Sequence, residues 1–91
     1  MNVIYESNRV LEKLVMKFKE NENAYAPVFH IVVKDFSSEL NLSMQQLNLC
    51  LWILNDAEYI KTSTAYSREE NATKEIVLTP KAFTKIEKST L

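Results

Sequence analysis

Two side chains that commonly act as nucleophile, base or metal ligand occur once each in this chain, Cys50 and His30. A thiol beside an imidazole is the arrangement used by cysteine nucleophiles. Cys50 lies in an apolar helical stretch, however, where a thiol normally packs as an inert side chain. His30 lies between Phe29 and Ile31, which favours a partly buried helix residue over a ligand. A zinc site would have to combine one His, one Cys and carboxylates, an uncommon set, so we expect no metal site.

The absence of glycine from the sequence excludes another group of functions. Loops that cradle phosphates and turns that bind dinucleotides need glycine where the backbone approaches the ligand closely. We therefore expect no cofactor. With no metal, no cofactor and no reactive thiol indicated, we expect that the chain is not an enzyme.

Polar side chains of a different chemistry cluster at Ser43-Met44-Gln45-Gln46 and at Asn48. The first four residues predict a capping box, in which the serine hydroxyl accepts from the amide three residues on and Gln46 reaches back. On the outward face of a helix, carboxamides can pair with N6 and N7 of adenine. The alternative interpretation is an ordinary polar surface at the start of a capped helix.

The elements that position these side chains are predicted from the spacing of apolar residues. Spacings of three, four and seven are typical of amphipathic helices and recur through most of the chain. The apolar stripe of the first helix consists of Ile4, Leu11, Leu14, Val15 and Phe18, and the inward stripe of the third consists of Leu47, Cys50, Leu51 and Leu54. The β-branched residues of segment 28–33 give it an alternative interpretation as a strand, but its periodicity favours a helix. Alternating β-branched and aromatic residues from Tyr59 onward indicate a hairpin. The predicted elements are helices over residues 2–20, 27–40 and 43–56, a hairpin or wing over 59–79, and a helix over 80–88.

Three segments stand in an order typical of one superfamily: FSSELNLS at 36–43, DAEYI at 56–60 and LTPKA at 78–82. They resemble the helix-turn signature, the exit into the wing and the segment after the wing of winged helix-turn-helix proteins, among them small bacterial or phage regulators of the MarR and PadR kinds. The resemblance covers roughly residues 27–88. It implies an α+β fold with a three-helix core, a β-hairpin wing and a short C-terminal helix. Glu58 and Ala82 stand where the superfamily pattern favours glycine, so we expect a residue with a Cβ to make the turn at each position.

The resemblance also implies a homodimeric transcription regulator that binds duplex DNA. The third helix would then enter the major groove. The expected contacts to DNA are Ser43, Gln45, Gln46 and Asn48 on that helix, and Lys61, Arg68 and Lys74 on the wing.

The distribution of charge gives this DNA-binding hypothesis little support. No basic residue occurs between Ser43 and Asp56. Residues 1–60 carry five Lys or Arg against eight Asp or Glu, whereas residues 61–91 carry six against four. Because affinity for DNA comes largely from neutralised phosphates, binding by one copy should be weak.

The apolar residues Met44, Leu49 and Trp52 on the third helix suggest an alternative function. Trp and Met are favoured at the centres of protein interfaces. These residues could form a surface at which a protein partner docks, with no direct contact to DNA. A neighbouring helix could instead cover Trp52, which would make it part of the core.

Length and composition limit the architecture. Ninety-one residues fit a single domain, 1–91, with one core. No apolar run approaches the ~18 residues that span a bilayer, so we expect no membrane association. The first residues lack the basic and apolar segments of a secretory signal, and a lone cysteine suits a reducing compartment. We therefore expect a cytoplasmic protein.

Overall fold

The computed structural model describes residues 1–63 and 72–87. Within these ranges the chain forms four helices and a three-stranded antiparallel sheet. In chain order they are α1 (Val3–Glu20), β1 (Val28–Val32), α2 (Val33–Glu39), α3 (Met44–Asp56), β2 (Ile60–Lys61), β3 (Thr73–Leu78) and α4 (Pro80–Ile86).

Helix α1 begins after Asn2, whose side chain accepts a hydrogen bond from the amide of Tyr5 at 3.0 Å. This bond satisfies one of the amides that a helix start leaves without an intrahelical partner. Its buried face packs mainly against α3. Ile4, at the head of the predicted apolar stripe, is 65% exposed. The buried stripe therefore begins later in the helix than the sequence pattern indicates.

The predicted helix over 27–40 is wrong in its first half, where residues 28–32 form β1. Strand β1 pairs antiparallel with β3, with Val28 opposite Val77 and Val32 opposite Thr73. The β-branched side chains of this segment suit a pleated strand, and β3 supplies its backbone hydrogen bonds. Only residues 33–39 are helical, as α2, so the helical spacing of the apolar residues was misleading here.

The sheet has the strand order β1-β3-β2, which places the last strand in the centre. Strand β2 is short and pairs with the end of β3, Ile60 lying opposite Leu78. These strands belong to the hairpin predicted over 59–79. The middle of that hairpin, residues 64–71, lies outside the described residues, and so does the predicted DNA contact Arg68.

Helix α3 crosses the core and carries the predicted inward stripe: Leu47, Cys50, Leu51 and Leu54 are all buried. The predicted capping box is confirmed. The amide of Gln46 donates to the Ser43 hydroxyl at 3.1 Å, and the Ser43 amide donates to Oε1 of Gln46 at 2.9 Å. Because one face of α3 is fixed in the core and its start is capped, the orientation of its opposite face is also fixed.

Two residues with a side chain take the left-handed conformation that glycine adopts most easily. Asn41, in the turn between α2 and α3, has φ of 57°, and Glu58, after α3, has φ of 67°. The expectation that a residue with a Cβ makes the turn at Glu58 is confirmed. The similar expectation for Ala82 is wrong, because Ala82 lies inside α4 and is fully buried. Its small side chain suits close packing there.

Candidate interaction face on helix α3

Four residues of helix α3 are exposed, and they lie along one line: Gln45, Leu49, Trp52 and Asp56. Their spacings of four, three and four place them within about 60° of arc on a helix that turns about 100° per residue. Trp52 is 51% exposed and Leu49 is 38% exposed. We call these four residues the α3 stripe. It presents an indole and an isobutyl group between an amide and a carboxylate.

The interpretation of Trp52 as a core residue is wrong. Half of its surface faces solvent, although large aromatic side chains are usually mostly buried. The reason lies in the helical register. Leu47, Cys50, Leu51 and Leu54 occupy the face of α3 that meets the core, and this places Trp52 on the opposite side.

Gln46 and Ser43 are occupied with each other in the capping box. The Gln46 carbonyl oxygen accepts from the backbone of Ser43, which holds the carboxamide at the start of the helix and uses one of the two lone pairs of that oxygen. Bidentate pairing with adenine needs both the oxygen and the nitrogen of a carboxamide. The structure thus gives Gln46 a structural role, whereas Gln45 is exposed one residue earlier.

Asn48 and Met44 are both partly buried and are not members of the α3 stripe. Met44 packs against the core. Oδ1 of Asn48 is buried and has no hydrogen-bond partner within the described residues. A buried amide oxygen without a partner costs stability.

The lysines expected to contact DNA differ in their surroundings. Lys61, on β2, is exposed. Lys74, on β3, donates from Nζ to the carbonyl oxygen of Ser63 at 2.6 Å, so its ammonium group joins β3 to the segment that follows β2. Burial lowers the pKa of Lys74. Lys61 is therefore better placed than Lys74 to contact another molecule.

Two further lysines, Lys81 and Lys85, lie against the ring of Tyr59. Nζ of Lys81 lies 4.9 Å and Nζ of Lys85 5.3 Å from the centre of that ring, as in cation–π contacts. Lys81 also donates to the carbonyl oxygen of Ala57, at the end of α3, at 2.9 Å. Cations stabilise that end of a helix, so this contact is a structural cap. A shallow cleft of about 530 Å³ lies beside it. It is lined by Asn55, Glu58, Ile60, Lys61, Thr79, Pro80 and Lys81.

Cys50 and His30 are placed in different surroundings. Cys50 is fully buried, as expected, and burial raises the pKa of its thiol. The expectation that His30 is a partly buried helix residue is wrong. It lies on β1 with 63% of its side chain exposed, and its Nε2 is 3.6 Å from a carboxylate oxygen of Glu75. Among residues 1–63 and 72–87, no three His, Cys, Asp or Glu side chains are grouped to hold a metal ion.

Helix α3 carries almost no charged side chains. Its first turn carries no acidic residue and its last turn no basic residue. Asp56 is the one charged residue in the helix, and it lies at the C-terminal end, where the helix dipole is itself negative. The α3 stripe can therefore bury apolar surface and exchange hydrogen bonds, but it offers no cation to an anionic ligand.

No family model, curated protein or solved structure matches this chain. In the part of the chain that the structure describes, no helix is both long enough and apolar enough to cross a membrane.

Proposed function

We propose that this chain is a protein-interaction module with a winged-helix type of fold, and that the α3 stripe is the surface at which a partner protein docks. The observation that carries the proposal is the 51% exposure of Trp52 on a helix that has no basic residue. In a winged-helix protein that reads DNA, the corresponding helix enters the major groove. Here the same face offers the apolar side chains of Leu49 and Trp52 and no basic side chain.

The order of the elements supports the winged-helix part of the proposal. The chain runs α1-β1-α2-α3-β2-β3, with β1 and β2 on either side of β3. The short turn between α2 and α3, with Asn41 in the left-handed conformation, is compatible with a helix-turn-helix.

The energetics of interfaces support the docking part. Residues that dominate binding energies are enriched in Trp, and they lie in the centre of the interface, surrounded by contacts that exclude water. Trp52 and Leu49 occupy the centre of the α3 stripe, and the two polar residues, Gln45 and Asp56, flank them. Covering the exposed parts of Trp52 and Leu49 would contribute favourable free energy on the order of 25 cal/mol per Å².

Site-specific photo-crosslinking in cells of the native host tests this proposal. A photoreactive amino acid replaces Gln45, because this residue lies on the α3 stripe and makes no contact in the core. We expect a covalent adduct with a protein. Trp52→Ser should abolish the adduct while leaving the circular dichroism spectrum unchanged.

The matched control is Tyr25→Ser, which removes a fully exposed aromatic side chain outside α3. This variant should retain the adduct. Absence of any adduct at position 45, or equal loss in both serine variants, would contradict the docking role of the α3 stripe.

Binding of duplex DNA is the second candidate function, and the exposure of Gln45 and Lys61 favours it. Both side chains remain available to contact DNA. Titration of a fluorescent mixed-sequence duplex at increasing salt tests this candidate, since the log–log slope counts the phosphates neutralised. Lys61→Ala should reduce that slope by about one if Lys61 contacts a phosphate. Absence of binding at low salt would refute it.

A further inference from the structure

We infer that the protein docked on the α3 stripe is a second copy of this chain, with the two α3 helices antiparallel about a two-fold axis. This inference rests on the proposed function, which it makes more specific. Three properties of the α3 stripe support it: its symmetry, the position of its charge and the chemistry of its centre.

The α3 stripe is symmetric in sequence position about the midpoint between residues 50 and 51. Positions 45 and 56 are equally distant from that midpoint, and so are positions 49 and 52. In a two-fold dimer, residue i of one copy contacts residue j of the other and the reverse. An axis through the midpoint therefore pairs Leu49 with the second copy's Trp52, and Gln45 with the second copy's Asp56.

These pairs are chemically complementary. The Gln45 amide is a donor and the Asp56 carboxylate is an acceptor, so each end of the contact gains a charge-assisted hydrogen bond. The two carboxylates lie at opposite ends of the contact, about 16 Å apart along the helix axis, and do not face each other. Each apolar side chain of the centre meets an apolar side chain. Every exposed group of the stripe thus has a suitable partner on the same stripe.

The helix dipoles favour the same arrangement. Asp56 lies at the negative end of its own helix, which is unfavourable for a carboxylate. In the antiparallel dimer it lies beside the positive N-terminal end of the other α3 helix. A parallel arrangement would bring the two Asp56 carboxylates together, and a nucleic acid would place phosphates beside them. A second copy removes the electrostatic cost that a single copy bears.

Sedimentation equilibrium of the purified full chain, from micromolar to millimolar concentration, tests this inference. We expect a reversible equilibrium between 10.6 kDa and twice that mass. The contact is confined to one pair of helices, so the dimer should be weaker than stable protein complexes, which bury about 800 Å² per partner.

Charge substitutions test the pairing itself. Gln45→Glu places a carboxylate opposite Asp56 of the second copy and should weaken dimerisation roughly threefold to tenfold, since two-fold symmetry produces two such repulsions. Adding Asp56→Lys to the same chain replaces both repulsions with ion pairs and should restore dimerisation. Each change also suits the helix dipole of the single chain, so loss of folding would not explain a weakened dimer.

Asn8→Glu is the matched control, because it introduces the same charge at an exposed position on α1. It should leave the dimer unchanged. A chain that stays monomeric throughout, or a dimer that Gln45→Glu leaves unaltered, would overturn the inference. A cross-linked adduct at position 45 whose mass differs from two copies would also overturn it, yet leave the proposed function standing. Absence of any adduct would refute the proposed function itself.

Discussion

The capping box at the start of α3 leads to a prediction that separates a structural role for Gln46 from a DNA-reading role. We expect Gln46→Ala to destabilise the fold, because it removes the acceptor for the Ser43 amide, now at 2.9 Å. A net hydrogen bond contributes about 0.5–1.5 kcal/mol. The higher helix propensity of alanine offsets a few tenths of this. The free energy of unfolding should therefore fall by roughly 0.5–1 kcal/mol.

The partner substitution should have a slightly larger effect. Ser43→Ala removes the hydroxyl that accepts from the Gln46 amide at 3.1 Å, and loss of an N-cap side chain typically costs about 1 kcal/mol. The two bonds are reciprocal, so the double variant should lose less than the sum of the single losses. For a domain of this size, a loss of 1 kcal/mol lowers the melting temperature by about 4–8 °C.

The assay is urea and thermal unfolding followed by circular dichroism, at concentrations where the chain is monomeric. Gln45→Ala is the matched control, since this exposed neighbour takes no part in the capping box. Its effect should lie within about 0.5 kcal/mol of zero. If Gln46→Ala is as neutral as Gln45→Ala, the capping role is refuted, and the whole carboxamide of Gln46 becomes available to another molecule.

Three further predictions concern the fold. Glu58→Gly should raise the free energy of unfolding by up to about 1 kcal/mol in urea denaturation, because glycine adopts the left-handed conformation without strain. Asn41→Gly should raise it less, since asparagine tolerates that conformation. Equal effects of the two substitutions would contradict the reasoning. Leu51→Ala should lower the melting temperature steeply, because truncating a buried leucine costs about 2–5 kcal/mol; a change like that of a surface substitution would contradict its core position. Cys50 should react with a thiol reagent only as fast as the protein unfolds. Because burial raises the pKa of the Cys50 thiol, the free energy of unfolding should fall as the pH rises past 9.0, the value of the thiol in the unfolded chain. Cys50→Ala should lack this part of the pH dependence. A variant with the same pH profile as the original chain would contradict the reasoning.

The parts of the fold that the sequence predicts well are those set by local chemistry. The capping box fixes the start of α3 through bonds between residues three apart, so its signal lies within four residues. The inward stripe of α3 follows from helical periodicity alone. Helices α1 and α4 are similar cases, because a capping residue or a proline marks the start of each.

Strand β1 shows where local signals fail. Its apolar residues fit a helical spacing and a buried strand equally well, and the deciding factor is pairing with β3 more than forty residues later. That pairing has no local signal. His30 was misplaced for the same reason, since its exposure follows from the alternation of side chains along a strand.

The candidate site was predictable only in part. The sequence shows the lack of basic residues on α3 and the presence of Leu49 and Trp52. It does not show whether another helix covers Trp52, because that depends on how the elements pack. Asp56 was overlooked as a member of the stripe, although its position four residues after Trp52 was a usable signal.

Acrylamide quenching of the intrinsic fluorescence tests the central claim most directly, because Trp52 is the one tryptophan in the chain. In dilute solution the indole should be readily quenched, as its 51% exposure requires. As the concentration of the chain rises, quenching should decrease and the emission should shift to the blue, since a second copy covers the ring. An indole already protected at the lowest concentration, or one that stays equally accessible throughout, would contradict the account.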